Sequence, residues 1–224
     1  MLPSQTVENY LKTIYLAQTA TADAALLVPM GHLASALGVV PGTATTMMKT
    51  LAEAGLVHYE PYLGVRLTPA GHKLASLVLR RHRLVELFLV RVLGMSWTEV
   101  HDEAEQLEHA VSERLIDRID EMLGRPAVDP HGDPIPTSDG TVAQQDHIDL
   151  ASAPVGVLVT VERVVDQDAA FLRFVEQRNL MPGRQVRVAE RDVVADALMI
   201  TAPSGESTTV GLRAAAKVMV SLPA

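Results

Sequence analysis

The chain has 224 residues, 48% hydrophobic and only 4% aromatic, enough for one large domain or two small ones around an aliphatic core. It contains no cysteine, which excludes disulfides, thiolate zinc sites, iron–sulfur clusters and cysteine nucleophiles. A net charge of −8 would oppose nucleic-acid binding if it were spread evenly, yet residues 99–121 hold nine acids against two bases, while residues 1–73 hold four of each. The acidity belongs to one segment and does not bar the N-terminal part from DNA. With no secretory pattern and no apolar run of about 18 residues, the expectation is a soluble, cytoplasmic protein without a membrane partner.

Residues 5–20 read as an amphipathic helix with Val7, Tyr10, Leu11 and Ile14 inward. A short helix over 30–37 ends at Gly38, and Pro41 opens another that runs over 41–53 and stops at Gly55. Two short helices joined by a few residues containing glycine form a helix-turn-helix. Strands over 56–60 and 64–68, around a turn at 61–64, then complete a winged helix. A long helix is predicted over 69–93, broken at Gly94, and a further one over 96–122. Residues 124–154 are rich in proline and glycine and read as a semi-rigid, non-helical connector. Beyond it, strands over 155–165, 185–189, 197–201, 208–212 and 218–222, with one helix over 169–178, suggest a small barrel.

The second helix of the pair begins at Pro41 and exposes Thr43, Thr45, Thr46 and Lys49. A recognition helix docks its N-terminal part in the major groove, where hydroxyls meet base edges or phosphates and a threonine methyl meets the thymine methyl. With no arginine or asparagine for bidentate readout, discrimination must rest on shape and apolar contact. Lys49, and Arg66 on the wing, would contact phosphates. Any single threonine reads equally well as a tolerated surface residue; it is the assembly of helices and wing that points to DNA.

At about 100° per residue, with His101 at 0°, Glu105 falls near 40°, Glu108 near 340° and His109 near 80°, all on one side of the predicted helix. Val100, Ala104, Leu107, Val111 and Leu115 border that side as an apolar stripe. Carboxylates and imidazoles beside a core suit a divalent cation, but a solvated, salt-bridged helix fits the same pattern. His82 and Glu86 stand i, i+4 in the preceding helix, as a salt bridge or as ligands. An enzyme is the weaker reading: there is no HExxH, and the Glu-x-x-His spacing of di-iron bundles is absent. A winged-helix regulator sensing a small organic ligand, or a DNA-binding dimer needing no metal, would leave His82, Glu86, His101 and His109 without a shared purpose.

The wing end Leu67-Thr68-Pro69-Ala70-Gly71, the run Arg81-His82-Arg83-Leu84, the string 100–109 and the stretch Pro130-His131-Gly132-Asp133-Pro134-Ile135-Pro136 resemble the diphtheria toxin repressor family of metal-dependent transcriptional repressors. The likeness spans the chain and weakens after about residue 150. It implies a mainly α protein with a small all-β domain: a winged helix-turn-helix (1–73), dimerisation and metal-binding helices (74–124), a linker (125–150) and an SH3-like barrel (151–224). It further implies a homodimer on double-stranded operator DNA, activated by metal. By position, the primary ligands would be Asn9, Glu105, Glu108 and His109. The ancillary ones would be His82, Glu86 and His101 with Asp168 of the SH3-like domain, while Phe171 stands where iron regulators place a second ligand from that domain. Iron-sensing members carry cysteine at the position of Glu105 and methionine at that of Asn9. Their replacement by oxygen donors implies Mn²⁺, with Fe²⁺ as the alternative and other divalent transition metals able to substitute in vitro. Manganese-sensing relatives with two carboxylates on the first helix have them where Asn9 and Lys12 stand here, and a charged lysine cannot ligate.

Overall fold

The computed structural model describes residues 4–19, 27–143 and 145–223. They form two compact units: one holds the described residues up to His82 with Pro136–Val142, the other Arg83–Ile135 and the described residues from Ala143 onward.

In the first unit, α1 (Gln5–Thr19) buries Tyr10, Leu11, Ile14 and Tyr15. α2 (Met30–Ala36) ends before Gly38, and α3 (Pro41–Glu53) starts at Pro41, whose fixed φ suits a first turn and whose missing N–H would have no helical partner there. α3 closes at Gly55, which takes φ +71° so that the Leu56 N–H donates to Leu51 O at 2.9 Å. The strands β1 (Val57–Glu60) and β2 (Gly64–Leu67) pair antiparallel, His58 opposite Arg66. Val28 lies along β2, exchanging hydrogen bonds of 2.8 and 3.0 Å with Val65. α4 (Pro69–Arg91) is the next helix, and Thr68 Oγ1 accepts the Gly71 N–H of its first turn at 3.1 Å. Leu11, Ile14, Leu33, Met48, Leu51, Val65 and Leu79 share one core, so helices and wing are held as a single body.

In the second unit, Leu84, Val85, Leu87 and Leu89 of α4 pack with Val100 and Ala104 of α5 (Val100–Leu107), Ile116 and Ile119 of α6 (Glu113–Met122), and Ile135. The continuous helix expected over 96–122 is therefore two helices. Ser112 explains the break: its Oγ accepts the Leu115 N–H at 3.3 Å, an N-cap that starts α6 after a turn over 108–111. The expected apolar stripe breaks with it. Val100 and Ala104 are buried, Leu107 and Leu115 are exposed, and Ile116 and Ile119 point inward instead.

The proline- and glycine-rich stretch is non-helical, but its first part is packed rather than loose. Asp129 Oδ1 accepts the backbone N–H groups of His131 (2.8 Å) and Asp133 (2.9 Å), closing a tight turn. Gly132 sits at φ +88° with its Cα against the Glu162 carbonyl, so close that a Cβ would overlap it. The Val164 N–H donates to His131 O at 2.8 Å, tying the turn to the β-rich part.

That part is an all-antiparallel sheet of β3 (Ile148–Asp149), β4 (Leu158–Val164), β5 (Gln185–Asp192), β6 (Ala197–Thr201), β7 (Ser207–Gly211) and β8 (Val218–Ser221), in the order β3-β8-β4-β5-β6-β7. Irregularities at Val161/Arg163 and Val188/Glu190 bend β4 and β5, and α7 (Ala169–Gln177) and α8 (Leu212–Ala215) complete the domain. Trp97 and Val90 join its core from the helical part. Among the described residues no helix is long and apolar enough to cross a membrane.

Candidate functional site

The second unit gathers most of the predicted donors. Glu86, fully buried on α4, places Oε1 3.2 Å from His101 Nδ1 on α5. His101 Nε2 in turn lies 3.8 Å from Glu105 Oε1, one helical turn further on. His101 thus stands between Glu86 and Glu105, which the resemblance divided between two ligand sets. Glu108 and His109 lie beyond the end of α5, in the turn, with Glu108 Oε1 3.3 Å from His109 Nε2. Glu108 is fully buried. Burying an ionised carboxylate costs several kcal/mol unless cations offset it. Two such carboxylates among imidazoles, all oxygen and nitrogen donors, suit a divalent first-row ion.

In the first unit, Asn9 lies on α1 with a buried Oδ1 that accepts no hydrogen bond from the described residues, an orphaned acceptor of the kind a cation satisfies. Its neighbours are already engaged. Glu8 accepts from Arg81 at 2.6 Å, both buried, and Lys12 Nζ lies 3.3 Å from His82 Nδ1. Lys12 is itself buried, so its ammonium is a fixed internal cation beside a predicted ligand. His82 and Glu86 are one turn apart on α4. Asp168 is exposed and serves as N-cap of α7, its Oδ1 accepting from Ala170 N (2.9 Å) and Phe171 N (3.1 Å), so one of its oxygens is taken. Phe171 lies beside Phe174 and beneath Lys217, whose Nζ is 5.0 Å from the ring centre.

Two buried donors escaped the sequence reading. Asp129 and His131 come from the non-helical stretch, where no periodicity marks an inward residue, and each brings a ligand atom within 4.8 Å of Glu86. Burial, then the charges of Asp133 and Glu86, hold the Asp129 carboxyl well above its ordinary range, with Arg83 pulling the other way. Arg83 Nε lies 3.7 Å from Asp129 Oδ2, Arg83 Nη2 lies 3.4 Å from Asp133 Oδ1, and Arg163 pairs with Asp133 at 2.6 Å. The only sequence signal was the alternation of Asp129, His131 and Asp133, polar residues inside a run that otherwise reads as connector.

On α3, Pro41, Thr43, Thr46 and Lys49 are exposed and Thr45 is half-buried. Thr45 Oγ1 donates to Pro41 O at 2.9 Å and Thr46 Oγ1 to Gly42 O at 3.0 Å. Their protons are spent on the helix itself, so outward they offer methyl groups and acceptor lone pairs. Arg66 is half-buried on β2, and Tyr62 stands fully exposed at the wing tip with φ +69°.

Three family models match: the iron-dependent repressor N-terminal DNA-binding domain over residues 3–65, the iron-dependent repressor metal-binding and dimerisation domain over 68–137, and the FeoA domain over 148–222. The HTH-type transcriptional regulator MntR of Lysinibacillus sphaericus is 34% identical over 54% of this chain and 84% of its own length. The iron-dependent repressor IdeR of Mycobacterium leprae is 29% identical over 92% of both chains. A solved manganese-dependent transcriptional repressor in complex with manganese is 40% identical, with a TM-score of 0.89 over 97% of this chain and all of that one. The winged helix, the buried carboxylate–imidazole helices and these likenesses agree: the chain belongs to the family of metal-dependent transcriptional repressors that includes MntR, IdeR and the diphtheria toxin repressor, DNA-binding regulators and not enzymes.

Proposed function

We propose that the chain is a manganese-responsive repressor that binds double-stranded operator DNA as a homodimer in the cytoplasm, to control metal homeostasis. The observation that carries the choice of metal is the donor set: oxygen and imidazole nitrogen throughout, with Glu105 and Asn9 where iron-sensing relatives carry sulfur. The solved relative at 40% identity, named for manganese, supports it. Ferrous iron is the second reading, favoured by the likeness to IdeR over 92% of the chain. Affinity alone does not separate these ions, since a given site of this kind binds zinc more tightly than either; selection then falls to geometry and supply.

The primary ligands are Asn9, Glu105, Glu108 and His109, and the ancillary ones His82, Glu86 and His101, with Asp168 contributing its second oxygen. When bound, a divalent ion supplies positive charge among these carboxylates. Glu105 and Glu108 repel each other without it, so an arrangement that brings them and Asn9 together is disfavoured, and the DNA-reading helix is not held in its operator geometry. In that geometry the N-terminal part of α3 enters the major groove, presenting Pro41 and the methyl groups of Thr43, Thr45 and Thr46. Lys49 and Arg66 then meet phosphates. Linkage makes the coupling reciprocal: operator DNA tightens metal binding by the factor by which metal tightens DNA binding.

Gel-shift titration with Mn²⁺ and with Fe²⁺ tests the reading. Retention of operator DNA should rise with Mn²⁺ for the native protein and be lost in Glu108→Ala and His109→Ala. Retention that ignores Mn²⁺, or survives both substitutions unchanged, rejects it.

A further inference from the structure

Beside Glu86, where the 129–133 turn meets α4 and Trp97, lies a group of acceptors that the ligand sets above do not use. His131 is fully buried and its Nε2 is 2.9 Å from the Trp97 carbonyl oxygen. A carbonyl only accepts, so Nε2 carries the ring proton, and in the neutral ring Nδ1 is a bare lone pair. No described residue donates a hydrogen bond to it; instead it faces Glu86 Oε2 at 3.9 Å. Asp129 spends Oδ1 on two backbone N–H groups, while its Oδ2 accepts no hydrogen bond from the described residues.

Glu86, Asp129 and His131, all buried, each bring one ligand atom within 4.8 Å of the other two. Such separations are too long for hydrogen bonds and suit donors arranged around a cation at about 2.1 Å from each. The local charge points the same way. Arg83 and Arg163 pair with Asp129 and Asp133, and Glu86 sets a third carboxylate beside them in the same buried region. The upward push on the Asp129 carboxyl is the mark of that crowding of negative charge.

We propose that Glu86, Asp129 and His131 form a further divalent-cation site, for a first-row ion that accepts one imidazole and two carboxylates. The proposal rests on the preceding reading in one respect, that Glu86 serves the ancillary set through Oε1, on the His101 side. Oε2, on the His131 side, then serves the new site, and the Glu86 carboxylate bridges the two positions. Filling one orients the bridging group for the other.

The test is the Mn²⁺ content per chain of the full-length protein, by equilibrium dialysis and elemental analysis. Asp129→Asn keeps an oxygen for the backbone N–H groups, and His131→Gln keeps a polar side chain of similar reach. Each should lower the content by one ion per chain, while His109→Ala removes a different ion and its combination with Asp129→Asn removes both. A native protein that binds Mn²⁺, with both variants retaining the full content, overturns the new site and leaves the repressor reading standing. A native protein that binds no Mn²⁺ overturns both. Should circular dichroism show that the variants do not fold, anomalous scattering at the manganese edge from native crystals decides. A peak within bonding distance of His131 Nδ1 is expected, and peaks at the other ligand sets without one there overturn the proposal.

Discussion

Asp129 and His131 show what a residue-by-residue reading can and cannot reach. His101, Glu105, Glu108 and His109 are legible because a helix repeats at a known angle and brings distant positions to one side. A turn has no such rule. That Asp129 and His131 face Glu86 is set by two backbone hydrogen bonds to one carboxylate oxygen and by the strand that receives His131 O, none of which has a sequence period. Gly132 holds that turn against β4, and this can be measured. Its φ is +88° and an added Cβ would overlap the Glu162 carbonyl, so Gly132→Ala should lose on the order of 3 kcal/mol of stability in urea unfolding. Gly183, at φ +84° with open space around it, is the control: alanine there should cost about 1 kcal/mol, the conformational penalty alone. Equal losses at both positions would show that the close approach at Gly132 carries no weight.

The elements of the winged helix were readable because residues with one dominant backbone habit punctuate them: Gly38, Pro41, Gly55 and Gly64 stand at boundaries the structure respects. The break between α5 and α6 has no glycine or proline, and Val111 and Leu115 continue the apolar spacing, so periodicity runs straight through it. What ends the run is a serine hydroxyl that competes with the helix for a backbone donor, a choice settled by packing of Ile116 and Ile119. Ser112→Ala should therefore cost about 1 kcal/mol in chemical denaturation, with faster amide hydrogen exchange in the first turn of α6. A loss below a few tenths would mean that the core alone positions the break.

For the molecule as a whole, the composition gave a sound warning and a false one. The lack of cysteine did restrict the donors to oxygen and nitrogen, but the net charge of −8 said nothing of DNA, because it is concentrated over residues 99–121. A chain whose DNA-reading part is neutral must rely on few phosphate partners, and its affinity should depend only moderately on salt. Removing Lys49 from both heads of a dimer by Lys49→Ala should flatten the plot of log affinity against log salt by about 2, since each phosphate that is no longer neutralised takes away roughly 0.9 of slope. An unchanged slope between low and physiological salt would exclude Lys49 from phosphate binding. The interruption after Leu107 also sets an electric field. The aligned peptide dipoles of α5 end there, leaving roughly half an elementary negative charge where Glu108 and His109 project. A positive ion arriving at those side chains meets a helix pole as well, a gain of about 0.3–1 kcal/mol. Had the helix run unbroken, that pole would stand at Met122, far along the chain from either residue.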